Sequence, residues 1–307
     1  MVEVHLERSI NNWKIISLLK RGLLKVWNGI TVEPLLVFFT LPFYMSSLAI
    51  QNLSLEKACR VNLNLSTSIC DAIAQRNRSG FNETEEIMAQ KIVAAASVWK
   101  NVIAGVFPAV LLPLFGSWSD RNKIRSVLVI MPIIGEVISN IGFLLCTYFF
   151  YELPMEVNTV IEVLPTAITG GANMVYLGVF IFVSTTSSPE NRIFRMGIVQ
   201  TLFNICVTVG NAISGVMYTS IGFYGVFSLS LVMYVLGALY VYYISNDGRS
   251  DLTKWELVKD VVNVKKTVSS FKFIKKPSSN AETRQIGAVL FLDVLVIGPL
   301  IGKISLS

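Results

Sequence analysis

The chain is divided by seven apolar runs, most of them long enough to cross a lipid bilayer as an α-helix. About 20 apolar residues are enough, because an α-helix rises about 1.5 Å per residue. The predicted spans are about Ile30–Ile50, Ile92–Phe115, Val127–Tyr151, Val160–Val183, Met196–Tyr218, Phe223–Ile244 and Ile286–Ile301. A soluble protein of 307 residues does not need so many such runs. The predicted fold class is therefore an all-α membrane protein.

The composition agrees with this class. Apolar residues make up 53% of the chain and charged residues 15%, against about 25% charged in a typical soluble domain. The formal net charge of +6 does not indicate nucleic-acid binding, because the basic residues flank the apolar runs. The N-terminal segment is basic and has no early apolar core, so no cleavable signal peptide is predicted.

The positions of the basic residues predict which side of the membrane each loop faces. The short loops 152–159 and 219–222 contain no Lys or Arg, whereas basic residues collect in 1–29, 116–125 and 245–285. Loops rich in Lys and Arg stay in the cytoplasm. The sequence thus predicts a multi-pass protein of the plasma membrane or the endolysosomal membrane, with a cytoplasmic N-terminal segment.

Every N-x-S/T sequence in the chain lies in the loop 51–91, which is predicted to be external. The four acceptors are Asn52, Asn64, Asn77 and Asn82. Their clustering favours N-glycosylation, with a merely Asn- and Ser-rich polar loop as the alternative. Asn52 is the weakest acceptor because it lies close to the membrane. The same loop holds Cys59 and Cys70, which can form a disulfide in an oxidising compartment.

A charged turn at 116–125, G-S-W-S-D-R-N-K-I-R, links the second and third predicted spans. It resembles the signature G-x-x-x-D-R-x-G-R-[RK] of the major facilitator superfamily at Gly116, Asp120, Arg121 and Arg125. It departs from that pattern at Lys123 and Ile124. The resemblance implies a conformational latch, in which the aspartate meets the positive end of a helix in the other half of the transporter. A positively charged loop with an incidental aspartate is the alternative.

Further motifs lie at Val32-Glu33-Pro34, Asn101, Gly116-Ser117-Trp118-Ser119-Asp120, and Ser187-Ser188 with Arg192-Ile193-Phe194-Arg195-Met196. Together they resemble solute carrier family 46, the proton-coupled folate transporter family, in a diverged invertebrate-type form. This resemblance implies a major facilitator-type bundle of about twelve helices, built from two six-helix halves, and adds Arg195 to the latch. The chain would hold the N-terminal half (30–244), an inter-half loop (245–285), a seventh span (286–302) and a tail (303–307), and would be truncated.

The sequence differs from the folate members at three positions that matter for their chemistry. Gln200 stands where they carry a glutamate implicated in proton coupling, and Gly171 stands where they carry an aspartate. Leu300 lies near the position of their histidine in the seventh span. The resemblance therefore does not carry folate specificity, or the folate members' proton route, to this chain.

Ionisable and amide side chains inside the spans are candidates for binding solute and protons, because a charge in a bilayer is costly. Glu136 lies about 15 Å into the third span, near the midplane, and is a candidate for proton coupling, with a structural hydrogen bond as the alternative. Asp293 in the seventh span is a second proton candidate. Lys100 could attract an anion or could instead extend to the interface. The candidate solute-binding residues are Lys100, Asn101, Asn140 and Gln200.

Other residues in the spans have structural predictions. Glu33 and Glu162 lie near span ends, where solvated or helix-capping roles are expected. Gly210, and the pair Gly170-Gly171, are small residues that are expected to allow close helix packing.

The predicted function is transport of a small anionic organic solute by alternating access, with protons as candidate coupling ions. No enzyme or cofactor is predicted, because nucleophile-elbow, P-loop and H-E-x-x-H motifs are missing and His5 is the only histidine. The predicted partners are the lipid bilayer and the solute, not nucleic acid. The alternative is a truncated, non-transporting membrane protein that binds a full-length transporter, another copy of itself or another membrane partner.

Overall fold

A computed structural model describes residues 32–75, 80–122, 124 and 126–244, which contain helices and no β-strand. The helices are α1 (Glu33–Lys57), α2 (Thr67–Ala74), α3 (Glu83–Asn122), α4 (Val127–Tyr148), α5 (Met155–Ile168), α6 (Gly171–Thr186) and α7 (Pro189–Ile244). A π-helical turn, Ala58–Asn62, continues α1.

Five helical stretches in the described part of the chain are long and apolar enough to cross a membrane. They are Glu33–Asn62, Glu83–Gly116, Val127–Tyr148, Met155–Thr186 and Pro189–Ile244. The all-α membrane fold predicted from the apolar runs is therefore confirmed. The predicted seventh span lies outside the described residues.

The last stretch, α7, contains two helical segments joined at Gly222. It holds 56 residues, or about 84 Å of helix, which is far more than one crossing of a hydrocarbon core about 30 Å thick. The backbone is non-helical at Gly222, where φ is 63° and ψ is −170°. After this residue, Phe227 packs with Leu53, and Gly237 then lies against Phe38. The segment 223–244 thus runs back along α1, antiparallel to it.

The segment 189–221 runs parallel to α1 and packs closely against it. A Cβ atom at Gly210 would lie 2.8 Å from the Cβ of Tyr44 and 3.2 Å from the backbone oxygen of Leu41. Further along, Gly215 lies next to Leu48. Only a residue without a side chain allows this approach of two helices, so the packing role predicted for Gly210 is confirmed.

The main apolar core surrounds the first half of α1. Leu36 and Phe39 are each 1% exposed and pack with buried valines of α4, α6 and α7. The largest residue of this cluster is Tyr234 on α7, which is also 1% exposed. Because α1 contacts α4 and both segments of α7, it fixes the positions of the helices that carry the polar residues described below.

The fourth crossing consists of two helices, α5 and α6, which are separated at Thr169 and Gly170. The φ angles of Gly170 and Gly171 are 92° and 61°, in the left-handed region that glycine adopts without steric cost. A Cβ atom at Gly170 would also lie 2.2 Å from the sulfur of Met174, and one at Gly171 would lie 3.7 Å from the backbone oxygen of Thr166 near the end of α5, an ordinary contact distance. The glycine pair therefore breaks the helix; the predicted packing role was wrong.

The segment 51–91, which was predicted to be a loop, is largely helical where it is described. Helix α1 extends to Lys57, because its apolar side chains continue to find buried positions beyond the predicted end of the span, and α3 begins at Glu83. A disulfide joins Cys59 to Cys70 and holds α2 against the end of α1, which confirms the predicted pair. We refer to this end of the bundle, which includes the ends of α1 and α4 and the start of α5, as the disulfide end.

The turn predicted at 116–125 is shorter in the structure. Helix α3 continues to Asn122, so only the residues after it connect α3 to α4. The Ser119 side chain is fully buried and donates a 3.0 Å hydrogen bond from its hydroxyl to the backbone oxygen of Ile124. This bond satisfies one backbone carbonyl of the connection, which the sequence pattern did not predict.

Candidate functional site

A cavity of about 330 Å³ lies among α1, α3, α4, α5 and α6. Its volume falls within the range of about 300 to 1,000 Å³ that is usual for small-molecule sites. Four residues predicted to take part in binding or proton coupling line it: Lys100, Asn101, Glu136 and Asn140. These residues come from two helices, so their common location depends on how α3 packs against the rest of the bundle.

Lys100 and Glu162 form an ion pair in the wall of this cavity. The Lys100 Nζ atom donates a hydrogen bond of 3.0 Å to Glu162 Oε1, from α3 to α5. The two side chains keep 28% and 25% of their exposure, so both remain open to solvent. Glu162 lies in the interior of α5, so the predicted helix-capping role was wrong, whereas its partial exposure agrees with the predicted solvated role. The alternative prediction, that Lys100 extends to the membrane interface, did not include Glu162 as a partner, because the two residues are 62 positions apart in sequence.

Glu136 lies deeper in the bundle and is almost completely buried, with 6% of its surface exposed. Its Oε1 atom has no hydrogen-bond partner among the described residues, and neither has the Ser139 hydroxyl. The Asn140 side-chain amide donates a 2.9 Å bond to the backbone oxygen of Glu136, which leaves the Asn140 Oδ1 atom unpaired. Unpaired polar atoms in a buried wall carry a desolvation cost, so they are suited to binding a polar ligand, water or a proton.

The break in the fourth crossing points the start of α6 toward the same cavity. Gly171, Ala172 and Asn173, the first three residues of α6, all line it. The residue before them, Gly170, provides no side-chain cap. The first backbone N–H groups of a helix lack intrahelical partners and carry a partial positive charge. Together with Lys100, this helix start makes one wall of the cavity suitable for an anion.

The structure also shows residues that the sequence prediction missed. Glu162 was not among the predicted site residues, although a carboxyl group within an apolar run was a signal for it. Tyr234 is almost completely buried, and its hydroxyl, like Glu136 Oε1, has no hydrogen-bond partner among the described residues. A tyrosine in an apolar run carries no such signal, because aromatic residues are common in membrane helices.

The remaining predicted binding residues lie elsewhere. Gln200 is exposed on α7 and is not among the residues that line the cavity. Asp293 lies outside the described residues, so its predicted role in proton coupling stays a prediction from the sequence.

The described residues of the predicted latch lie near the end of the bundle opposite the disulfide. Gly116 is in α3, where an added Cβ atom would be 3.8 Å from Leu177, an ordinary contact distance. Asp120 and Arg121 lie in the last turn of α3, and Arg125 lies outside the described residues. The structure thus has no unusually close helix approach at Gly116, and the latch stays a prediction from the sequence.

Arg195 has a partner at the same end of the bundle. One of its terminal nitrogens, Nη2, lies 3.7 Å from Glu33 Oε1, which connects the starts of α7 and α1. Glu33 is 8% exposed, so the solvated role predicted for it was wrong. Its other oxygen accepts a 2.9 Å bond from the backbone N–H of Val32, in agreement with the alternative capping role.

The acceptor asparagines differ in their surroundings. Asn64 and Asn82 are exposed at the disulfide end, and Asn77 lies outside the described residues. Asn52 is half-buried on α1, and the hydroxyl of Ser54 in the same N-x-S sequence accepts a 2.9 Å bond from the Asn158 side chain. The geometry thus favours Asn64 and Asn82 as acceptors over Asn52.

The family model of the Major Facilitator Superfamily matches residues 83–302, well over half of the chain. The match includes α3 to α7 and thus Lys100, Glu136 and Glu162, which line the cavity. The family consists of membrane transporters and not of enzymes. With its apolar spanning helices and this match, the chain is a multi-pass membrane protein that belongs to the Major Facilitator Superfamily.

Proposed function

We propose that this protein transports a small organic anion across a membrane by alternating access, and that it is a diverged member of solute carrier family 46. The observation that carries the proposal is the cavity that brings together Lys100, Asn101, Glu136 and Asn140. A cavity with cationic and amide groups in one wall, near the centre of a membrane bundle, suits a solute with a negative charge.

The anion is held by positive charge from two elements. Lys100 supplies a full charge on α3, and the start of α6 supplies partial charges from its backbone N–H groups. Asn101 and Asn140 offer amide groups that donate to, or accept from, the polar part of the solute. The apolar lining, which includes Phe43 and Phe143, receives the carbon skeleton.

Glu136 is the proposed proton-binding group. It is buried, and one of its oxygens is unpaired in the described residues. A carboxylate in such surroundings is costly, whereas a protonated carboxyl group is not. Proton exchange at Glu136 thus couples solute binding to the pH on the side to which the cavity is open.

The disulfide end of the bundle is proposed to face outside the cytosol. The Cys59–Cys70 disulfide and the exposed acceptors Asn64 and Asn82 support this orientation, since disulfides and N-glycans form outside the cytosol. The excess of basic residues in the loops of the opposite end also supports it.

Uptake of a panel of labelled carboxylates into proteoliposomes tests the proposal. The Lys100→Gln variant should lose at least nine-tenths of the uptake, corresponding to about 1.4 kcal/mol, whereas Lys91→Gln, at an exposed position on the same helix, should keep it. The Glu136→Gln variant should transport without stimulation by acid. Unchanged uptake by Lys100→Gln, or an unchanged pH profile of Glu136→Gln between about pH 5.5 and 7.5, would contradict the respective role.

A further inference from the structure

The cavity contains an uneven set of charges. Among the described residues, its charged lining consists of Lys100 on α3, Glu136 on α4 and Glu162 on α5. No charged side chain from α1 or α6 lines it. With two carboxylates and one ammonium group ionised, the cavity carries a net negative charge. An anion enters such a cavity only if it replaces one of the carboxylates as the partner of Lys100, or if a carboxyl group is neutralised.

Lys100 already has an anionic partner in the structure. Its Nζ atom is 3.0 Å from Glu162 Oε1, a distance typical of a carboxylate bound to an ammonium group. The two side chains are still 28% and 25% exposed. An ion pair that solvent reaches stabilises a protein only weakly, whereas breaking a fully buried pair is strongly destabilising. The Lys100–Glu162 pair can therefore be exchanged at little cost.

On the basis of the proposed function, we propose that Glu162 is an internal counter-anion. Its carboxylate occupies, at Lys100, the position that a carboxylate group of the solute takes during binding. The solute is accordingly a carboxylate-bearing organic anion. Glu162 thereby limits access to Lys100, because only a carboxylate that outcompetes it will bind.

The displaced Glu162 side chain also links anion binding to proton binding. Glu136 and Glu162 line the same cavity, so their negative charges repel each other when both are ionised. While Glu162 pairs with Lys100, the ammonium group compensates part of the negative charge of Glu162. After the solute displaces Glu162, this charge is no longer compensated. One proton from solution then binds to this pair of carboxyl groups and restores the charge balance. The apparent affinity for the anion should therefore rise as the pH falls.

Benzoate is a suitable probe. Its binding is measured as a rise in the melting temperature of the purified full chain in lipid nanodiscs. Chloride replaces benzoate in the titration so that the ionic strength stays constant. The Glu162→Gln variant should reach half-saturation at a benzoate concentration at least tenfold lower than the unaltered chain. The double variant Lys100→Gln/Glu162→Gln, which removes both charges together, should not respond. The proposal is overturned if Glu162→Gln binds benzoate no more tightly than the unaltered chain, or if neither of these two proteins responds to benzoate. It is also overturned if the double variant responds as the unaltered chain does.

Two further measurements do not depend on Glu162→Gln. Acetate should raise the melting temperature of Glu162→Ala, in which it fills the space beside Lys100, but not that of Glu162→Ala/Lys100→Gln. In the unaltered chain, the benzoate affinity should increase by up to about tenfold per unit of pH as the pH is lowered, as expected for one bound proton. A flat profile overturns the proposal. If Lys100→Gln abolishes uptake while Glu162→Gln leaves benzoate affinity unchanged, the proposed function stands and the role of Glu162 falls.

Discussion

Lys57, at the end of α1, has its ammonium group both hydrogen-bonded to Phe150 and placed over the ring of the same residue. The Nζ atom donates a 2.9 Å bond to the backbone oxygen of Phe150 and lies 4.7 Å from the centre of its ring. A second bond of 2.9 Å reaches the backbone oxygen of Leu153. The lysine is fully buried, and its ammonium group is satisfied by two carbonyl groups of the connection between α4 and α5.

Replacing Lys57 with methionine should destabilise the protein. The substitution keeps the length of the side chain but leaves the carbonyl groups of Phe150 and Leu153 without this donor. We expect the free energy of unfolding to fall by about 2 to 4 kcal/mol, because hydrogen bonds from a charged donor are worth about 1.5 to 3 kcal/mol each and two of them are lost. Chemical unfolding in detergent measures this change. The same substitution at the exposed Lys91 is the control, and an equal effect at both positions would contradict the prediction.

Breaking the disulfide between Cys59 and Cys70 should loosen the disulfide end of the bundle. The two residues are 11 apart in sequence, and closing a loop of this size typically stabilises the folded state by about 2 to 3 kcal/mol. We expect a reducing agent to lower the melting temperature of the unaltered protein but not that of the Cys59→Ser/Cys70→Ser variant. The two other cysteines, Cys146 and Cys206, are buried and should react with a thiol reagent only after unfolding.

Gly178 should be intolerant of a side chain, because α6 approaches α4 closely at this position. A Cβ atom there would lie 2.7 Å from Val129 Cγ2 and 3.1 Å from Leu128 Cβ. Gly178→Ala should therefore destabilise the protein by about 1 to 3 kcal/mol, the usual cost of overpacking. The control is Gly197→Ala on α7, which has open space around it and should be neutral or slightly stabilising, because alanine favours helix. Unfolding experiments that show the same sign for both variants would argue against the packing described.

Expression in a glycosylating cell should give glycans on Asn64 and Asn82 but not on Asn52. The first two are exposed, whereas Asn52 is half-buried and its partner hydroxyl, on Ser54, is bound to Asn158. Each of Asn64→Gln and Asn82→Gln should increase the electrophoretic mobility by one glycan, and Asn52→Gln should leave it unchanged. Digestion with a glycosidase should remove the differences between the variants. The assignment would be contradicted if Asn52→Gln lost a glycan, or if Asn64→Gln and Asn82→Gln did not.

Much of the helical architecture was predictable because a membrane span depends on local sequence. The apolar runs that begin at Val127 and Met196, for example, correspond to α4 and to the first segment of α7. A backbone in hydrocarbon must satisfy its own hydrogen bonds, so a long apolar run has few alternatives to a helix. Helix ends were less well predicted. Both α1 and α3 continue beyond the predicted span ends, where side chains such as Ser119 make contacts that composition does not reveal.

The candidate site was predictable only in part. Glu136 and Asn140 are one turn apart on one helix, so their common face followed from helical periodicity. Lys100 was predicted as a solute contact and Glu162 as a solvated or capping residue, but not as partners, because nothing in the local sequence of either residue indicates the other. The break at Gly170 was also read as a packing site, since two adjacent glycines are compatible with both interpretations until the φ angles are known.

The sequence by itself determined that the chain is an all-helical membrane protein, since the length and apolarity of each run decide whether it crosses a bilayer. It also indicated the disulfide partners, Cys59 and Cys70, because they share one polar segment. Tertiary structure decided the charge arrangement of the cavity. The ion pair between Lys100 and Glu162 exists because α3 and α5 pack side by side, and the start of α6 lines the cavity because the fourth crossing is broken there. Such contacts depend on the positions of whole helices, which the order of residues within any one helix does not specify.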